Sequence, residues 1–238
     1  MIKPIGSDTL NPLFVYDPEE HHALAKEAES LPSVMISSQA AGNAVMMGGG
    51  YFNPLTGYMN VADAMGAAEK MTLADGSFFP VPVLCLIDDV SAIKDAKRIA
   101  LRDPNMDGNP VLAVMDVDAI ETVSEDQMNT MRDKVYRTDD PEHPGVAAFM
   151  AQGRNAVSGA IKVLSFSYFQ ADFPDTFRTA VEIRNEIQEH GWNKVVAFQT
   201  RNPMHRAHEE LCHMAMRDVE ADGVVIHMLL GKLKPGDI

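Results

Sequence analysis

A four-residue apolar run near the C-terminal end, followed at once by a polar segment, constrains the fold of this chain more than any other feature. Residues 195–198 (Val-Val-Ala-Phe) come shortly after Trp192 and predict a buried strand. Asn202 and Pro203 then fit the N-cap and the first residue of a helix. Residues 205–219 have helical spacing and contain neither glycine nor proline. The polar segment is therefore expected where a parallel strand passes into a helix, which is where open α/β sheets bind ligands.

The residue types in this segment favour an anionic ligand. A helix N-terminus presents backbone N–H groups to anions, and the planar cation of Arg201 suits phosphate or sulfate oxygens. His205 and His208 add further hydrogen-bond donors at the start of the helix. Each residue alone is as easily explained as a solvated loop residue. Their occurrence together at one strand–helix junction predicts an oxyanion site.

The same helix also allows a different interpretation, a metal site. Its potential ligands recur at positions i, i+3, i+4, i+7 and i+8, so they lie near one face; they are His205, His208, Glu209, Cys212 and His213. Imidazole and thiolate are zinc ligands, although such spacing is common in polar helices. Cys212 is equally well explained as a small residue on the buried face.

A second apolar run, residues 223–230, has the length of a strand and completes a strand–helix–strand pattern. Such a unit forms a right-handed crossover between parallel strands. Upstream, Thr179 and Glu182 have the spacing of a capping box, and the helix that they begin is expected to stop at Gly191. Residues 171–238 are therefore predicted to be α/β.

Residues 1–170 have a different character, because their short apolar runs are interrupted by glycine and proline. This pattern predicts a β-rich α+β domain with a few helices. The expected strands are residues 80–87 and 110–117; the expected helices are residues 18–30, residues 59–70 and one that begins at Ser124 with Gln127 in a capping box.

Two further segments carry predictions about the connections. Residues 48–50 are three glycines that lack the following Lys and Ser/Thr of a phosphate-binding P-loop, so we interpret them as a flexible turn. Residues 169–174 combine aspartate and proline and are interpreted as a linker between the two domains.

Composition excludes some classes of partner. The chain has 20 basic and 34 acidic residues and a net charge of −14, which disfavours binding to a nucleic-acid backbone. Two cysteines do not make a disulfide framework. Residues 1–6 lack the apolar core of a signal peptide, and no run of about 18 apolar residues predicts a membrane span. These features predict a cytoplasmic protein without a membrane or nucleic-acid partner.

Residues 198–211, FQTRNPMHRAHEEL, resemble the signature of the ATP sulfurylase (sulfate adenylyltransferase) family. Further stretches resemble the family at residues 140–146, 177–184 and 231–237, so the likeness spans essentially all 238 residues. The resemblance implies a PUA-like domain over residues 1–170. It implies the start of a Rossmann-like nucleotidyltransferase domain with a His-x-x-His motif over residues 171–238. PUA-like domains elsewhere bind RNA, which the acidic composition argues against here.

By this resemblance the reaction converts ATP and sulfate to adenosine 5′-phosphosulfate (APS) and pyrophosphate, by in-line attack on the α-phosphate. The implied catalytic residues are Thr200, Arg201 and Asn202. Sulfate binding is implied for Gln199 and Arg201. ATP binding is implied for a larger set of residues, namely Gln199, Thr200, Arg201, Asn202, His205 and His208. No protein-bound metal is implied; Mg²⁺ arrives with ATP, held mainly by phosphates and water. The implied full-length enzyme is a homo-oligomer.

One departure from the family pattern limits these expectations. The family's later nucleotide loop, Gly-Arg-(Asp/Asn)-His-Ala-Gly, is absent from the 238 residues, so we expect a fragment of a longer enzyme. Lys232, Lys234 and Asp237 match a family loop near the active-site mouth, although a solvated loop is an equally good interpretation. Two alternatives to an active enzyme remain: an oxyanion-binding module without turnover, and the metalloprotein described above. The physiological direction, sulfate assimilation or sulfur oxidation, is open.

Overall fold

The computed structural model describes residues 3–4 and 6–229 of the chain. The chain divides into two compact units, Lys3–Tyr168 and a second unit that begins at Phe169. This division lies two residues before the domain boundary predicted from the sequence at residue 170. Among residues 3–4 and 6–229, none of the helices combines the length and the apolar character of a membrane span.

The first unit mixes helices and strands. Its helices are α1 Pro18–Ala28, α2 Ser38–Gly48, α3 Val61–Lys70, α4 Glu125–Tyr136 and α5 Pro144–Met150. Its strands are β1 Ser33–Met35, β2 Gly57–Tyr58, β3 Leu86–Ile87, β4 Arg98–Arg102, β5 Val111–Asp116, β6 Ala119–Thr122 and β7 Asn155–Val163.

The seven strands form one sheet in which β7 is the central member. The main path is β1-β4-β5-β7-β2, and β3 and β6 also pair with β7. Only β1 and β4 are parallel among these pairs in the described residues; the others are antiparallel. The nine residues of β7 are long enough to pair with several short strands in succession, which holds these otherwise marginal strands in place.

Two glycines let the backbone approach β7 closely in its middle. A Cβ on Gly159 would lie 1.9 Å from the Asp116 carbonyl oxygen, and Gly159 has a φ of +149°. A Cβ on Gly57, which lies in β2 opposite Ala160 of β7, would lie 1.9 Å from the Gly159 carbonyl oxygen. Both positions therefore require glycine, because any side chain would overlap main-chain atoms.

The core of this unit lies around the sheet and α2. Helix α2 contributes buried Ala40, Ala44 and Met47, and the Tyr58 hydroxyl donates a 2.7 Å hydrogen bond to the Ala40 carbonyl. Burial, and to a lesser extent the neighbouring Cys85, raises the pKa of Tyr58 well above its usual value. Burial also raises the pKa of the Cys85 thiol to about 12, so both groups remain neutral inside the core.

Most of the predicted elements in this unit are confirmed. Helices α1 and α3 match the predicted residues 18–30 and 59–70, and α4 has the Ser124–Gln127 capping box with both of its hydrogen bonds. Strand β5 matches the predicted residues 110–117.

Two predictions for this unit are incomplete. Of residues 80–87 only β3 is a strand, because Pro80 and Pro82 have no N–H for a ladder hydrogen bond. Helix α2 was not predicted; its small residues give little helical periodicity because they are buried on most sides. The glycines at residues 48–50 end this helix, and Gly50 has a φ of +80°.

The second unit contains α6 Phe169–Asp172, α7 Ala180–Glu189, β8 Val195–Thr200, α8 Arg206–Val219 and β9 Gly223–Met228. Strands β8 and β9 are parallel, with Val195 opposite Gly223 and Thr200 opposite Met228, which confirms the parallel strand–helix–strand pattern. Within the segment predicted as a linker, residues 169–172 form a single helical turn.

Helix α7 has the predicted ends. The Thr179 side chain accepts from Glu182 N–H at 3.3 Å, and the Glu182 carboxylate accepts from Thr179 N–H at 2.7 Å. Gly191 follows the helix with a φ of +69°, a conformation that glycine adopts at low cost. Trp192 then packs against Gly223, where an added Cβ would lie 2.4 Å from the indole ring.

One carboxylate ties the amino ends of β8 and β9 together. Asp222 Oδ2 accepts from the backbone N–H of Asn193 at 2.7 Å and of Lys194 at 2.9 Å. These backbone hydrogen bonds, that of Lys194 first, lower the pKa of Asp222 from its ordinary value of 3.8. A lowered folded-state pKa means that the ionised form stabilises the fold above pH 3.8 and that this contribution is lost as pH falls through the folded-state pKa.

We therefore expect Asp222→Ala to lower the melting temperature of the second unit at pH 7 and to have a smaller effect at pH 2, because the ionised form of Asp222 is lost as the pH falls below 3.8. Melting is followed by the fluorescence of Trp192, the chain's single tryptophan, which lies in this unit. Asp218→Ala is the matched control, since Asp218 is exposed and makes no hydrogen bond or ion pair within residues 6–229. An equal loss at both pH values would contradict the assigned role of the carboxylate.

Candidate active site

The polar segment begins inside β8 rather than after it. The strand runs to Thr200, two residues beyond the predicted apolar run. Successive strand residues face opposite sides of a sheet, so Gln199 and Thr200 project from different faces. Gln199 is exposed and Thr200 is buried.

Thr200 organises the loop that follows the strand. Its Oγ1 donates to the Asn202 carbonyl at 2.9 Å and accepts from the Asn202 N–H at 3.1 Å. Its own carbonyl accepts from the Leu229 N–H at 3.0 Å. The loop is thereby held against the chain that leaves β9, and both strand ends lie at one edge.

The predicted start of α8 at Asn202 and Pro203 is wrong. The helix begins at Arg206, and His205 is its N-cap with φ −132° and ψ 174°. The physical reason is the Thr200 turn, since it engages the backbone of Asn202 on the strand side and keeps residues 201–204 out of the helix. The N-cap of α8 is therefore a histidine, a residue type that sequence rules for N-caps do not favour.

The two histidines cap the helix together. His205 Nδ1 accepts from the Ala207 N–H at 3.3 Å, and His208 Nδ1 accepts from the His205 N–H at 3.4 Å. Their ring centroids are 4.0 Å apart, and the His208 ring also packs on Phe198 at 5.7 Å. Because Nδ1 accepts a backbone hydrogen bond in both rings, Nε2 carries the ring proton. Each ring can therefore donate one hydrogen bond to a ligand.

Arg201 lies in the exposed loop between the strand and the helix. Within residues 6–229 its guanidinium takes part in no hydrogen bond or ion pair. Arg217, at the other end of α8, is by contrast paired with Glu210 at 2.7 Å. An unpaired guanidinium keeps all five of its N–H donors for a ligand, so the loop presents a cation without a competing carboxylate.

The metal interpretation gains no support from the geometry. Among the described residues, no group of three or more His, Cys, Asp or Glu side chains is placed to hold a metal ion. His213 instead lies 4.0 Å from Glu209, and the Nδ1 atoms of His205 and His208 already accept backbone hydrogen bonds. Cys212 is buried, as the competing core interpretation predicts.

The parallel register adds one residue that sequence reasoning missed. His227 lies directly opposite Gln199 across β8 and β9, and both side chains are exposed at the carboxyl edge. Aligning the two apolar runs at Val195 and Gly223 would have indicated this pairing. The predicted loop residues Lys232, Lys234 and Asp237 lie outside the described residues.

Comparison with known proteins assigns both units to families. The PUA-like domain family matches residues 2–166, and the ATP-sulfurylase family matches residues 174–238. A sulfate adenylyltransferase of Allochromatium vinosum is 73% identical over all 238 residues, which make up 60% of that relative. One from the Riftia pachyptila sulfur-oxidizing endosymbiont is 74% identical over the same residues, 54% of its length.

A solved structure described as a hexameric APS kinase from Thiobacillus denitrificans is similar in fold. It matches 98% of this chain and 40% of its own with a TM-score of 0.74 and 28% identity. The chain thus spans somewhat more than half the length of the curated relatives it matches. With a PUA-like unit followed by the strand, loop and helix that carry the signature, the chain belongs to the ATP sulfurylase family.

Proposed function

We propose that the protein to which this chain belongs is a sulfate adenylyltransferase, which converts ATP and sulfate to APS and pyrophosphate, and that residues 199–208 supply part of its substrate site. The observation that carries the proposal is the edge of the parallel β8–α8–β9 unit. There Arg201, whose guanidinium has no partner among residues 6–229, lies within eight residues of chain with two imidazoles that carry Nε2–H donors, His205 and His208. Names of relatives 73–74% identical over the whole chain support the same activity.

The reaction needs charge stabilisation more than proton transfer. A sulfate oxygen forms a bond to the α-phosphorus of ATP while the bond from that phosphorus to the bridging oxygen breaks and pyrophosphate leaves. Both reactants are anions, so the protein must bring them together and stabilise the charge that builds on the phosphoryl oxygens. Sulfate is already deprotonated, and no general base is required.

The proposed roles follow from the pleat of the strand. Gln199 projects from one face of β8, and Phe198, which packs on His208, projects from the other. We assign sulfate to the Gln199 side and the ATP phosphates to the side of His205 and His208. Arg201 follows the strand end and can bind oxygens of both anions bidentately.

Thr200 and Asn202 complete the proposed site. The side chain of Thr200 holds the loop through its two hydrogen bonds with Asn202, so its contribution is to position Arg201. The amide of Asn202 offers a neutral donor to a phosphate oxygen. Mg²⁺ fits as a companion of ATP, because residues 199–208 contain no carboxylate and the ion would rely on phosphates and water.

Finer features of the proposal rest on the family. We infer a Rossmann-like nucleotidyltransferase domain with the His205-x-x-His208 motif, a homo-oligomeric enzyme and a cytoplasmic location. The parallel pair β8–β9 with an intervening helix supports the Rossmann-like domain, and the description of the similar solved structure as hexameric supports the homo-oligomer. The reaction is reversible, so the same site would serve sulfate activation or ATP formation.

An alternative is that the 238 residues bind oxyanions but do not turn them over, and the 60% coverage of the Allochromatium vinosum relative favours testing it directly. The test joins this chain to the part of that relative beyond the aligned 238 residues and compares this chimera with the chain alone. We expect the chimera to release pyrophosphate from ATP only when sulfate is present. The chain alone separates the alternatives: turnover shows a self-sufficient site, and sulfate binding without turnover shows a binding module. A folded chimera that produces no APS would contradict the proposed activity.

A further inference from the structure

We propose that His227 is a further substrate-binding residue, which donates a hydrogen bond to the same sulfate that Gln199 binds. This inference rests on the proposed function and adds a contact from the second strand of the unit. The starting observation is the register of the two parallel strands, in which Gln199 and His227 are direct partners. Partners in a parallel pair project from the same face.

The spacing of these two side chains suits a tetrahedral anion. Neighbouring strands lie about 4.8 Å apart, and a hydrogen bond to a sulfate oxygen spans about 2.9 Å. One anion held by two of its oxygens therefore bridges donors on adjacent strands. The amide of Gln199 and the imidazole of His227 both carry N–H groups, and neither adds a negative charge that would repel the ligand.

The imidazole of His227 has no structural task within residues 6–229. His21 bonds to the Leu164 carbonyl, His143 caps α5 and His190 stacks on Trp192 at 4.7 Å. His213 faces Glu209, and His205 and His208 cap α8. By contrast, His227 and His22 are exposed and make no hydrogen bond, ion pair or ring contact in the described part of the chain. Of these two, only His227 lies at the carboxyl edge of the sheet, where ligands of α/β folds bind.

His227 and the residue assigned to the ATP phosphates, His208, lie on opposite faces of the β8–β9 pair. Gln199 and His227 project from the face opposite Phe198, and Phe198 packs against the His208 ring that is assigned to the ATP phosphates. Loss of the His227 imidazole should therefore weaken sulfate binding and leave ATP binding nearly unchanged. A merely structural residue would alter both.

The test uses the chimera described above and measures KM for sulfate and for ATP separately. His227→Phe, which keeps a ring but has no donor, should raise the KM for sulfate about 10- to 100-fold, as expected for one hydrogen bond to a charged ligand. The KM for ATP should change less than about twofold. His227→Asn keeps an N–H donor and should recover most of the sulfate affinity. His22→Phe removes the other imidazole that has no partner in the described part of the chain, and this variant should match the unaltered chimera.

Trp192 fluorescence melting reports whether each variant folds. A normal KM for sulfate in His227→Phe would overturn the assignment, as would equal increases for both substrates or a failure of His227→Asn to recover affinity. If the folded, unaltered chimera forms no APS, both the proposed function and this inference are contradicted. If the unaltered chimera is active and the His227→Phe variant has a normal KM for sulfate, only the inference about His227 is contradicted.

Discussion

Arg201→Ala in the chimera should reduce kcat/KM for APS formation by about 10²–10³-fold, the typical loss when one donor to a developing negative charge is removed. The guanidinium is the cation of the loop between β8 and α8, and it is exposed without an intramolecular partner in the described residues. No hydrogen bond or ion pair among the described residues involves this guanidinium, so its removal should leave the fold unaffected. The measurement is initial-rate APS synthesis at varied ATP and sulfate.

Two further variants sharpen this result. Arg201→Lys keeps the charge but loses the planar fork that binds two oxygens, so its activity should lie between those of the unaltered protein and Arg201→Ala. Arg217→Ala removes a guanidinium at the far end of the same helix, where its ion pair with Glu210 is exposed and contributes little, and should retain activity within about twofold. If the Arg201→Ala variant has a rate close to that of the Arg217→Ala variant, the proposed role of Arg201 in binding sulfate and ATP is contradicted.

Gly159→Ala should destabilise the first unit by about 3–6 kcal/mol, because a backbone conformation that favours glycine and a steric overlap act together. The new Cβ would lie 1.9 Å from the Asp116 carbonyl oxygen, at a φ of +149°. Relief requires β7 to move away from the β5 end, and several short strands pair with β7. Denaturant unfolding followed by far-UV circular dichroism measures the loss, and aggregation during expression would be its extreme form.

Gly42→Ala is the matched control in the same unit. Gly42 lies in the middle of α2 and has no positive φ, and apart from the adjoining residues and the backbone of its own helix no atom lies within 4 Å of the position of an added Cβ. Alanine has the higher helix propensity, so this change should stabilise the unit by about 0.5–1 kcal/mol. Opposite signs for the two substitutions would support the backbone explanation, whereas equal stability of both variants would contradict it.

Local patterns in the sequence were sufficient where neighbouring residues decide the structure. The capping boxes of α4 and α7 join residues three apart, and the stop at Gly191 depends on one residue's backbone freedom. The apolar runs at 195–198 and 223–230 likewise indicated two strands separated by a helix, which the parallel pair β8–β9 confirms. In each case the determining interactions are local.

Local rules failed where a distant or competing contact decides. The N-cap of α8 is His205 rather than the predicted Asn202, because Thr200 holds the backbone of Asn202. The general preference for Asn-Pro at helix starts does not take such a contact into account. Helix α2 gave no amphipathic pattern because several of its faces are buried. Its recognition requires the sheet against which it packs.

The sequence by itself determined the parallel strand–helix–strand pattern, the residue types of the loop between β8 and α8 and the likeness to ATP sulfurylase, since these depend on the order of residues along the chain. Only the tertiary structure decided which ring nitrogens of His205 and His208 accept backbone hydrogen bonds, that Arg201 has no partner among the described residues, and that His227 lies beside Gln199. The physical reason is that strand register and side-chain pairing join residues far apart in the chain, and their energies depend on distances that no local pattern encodes.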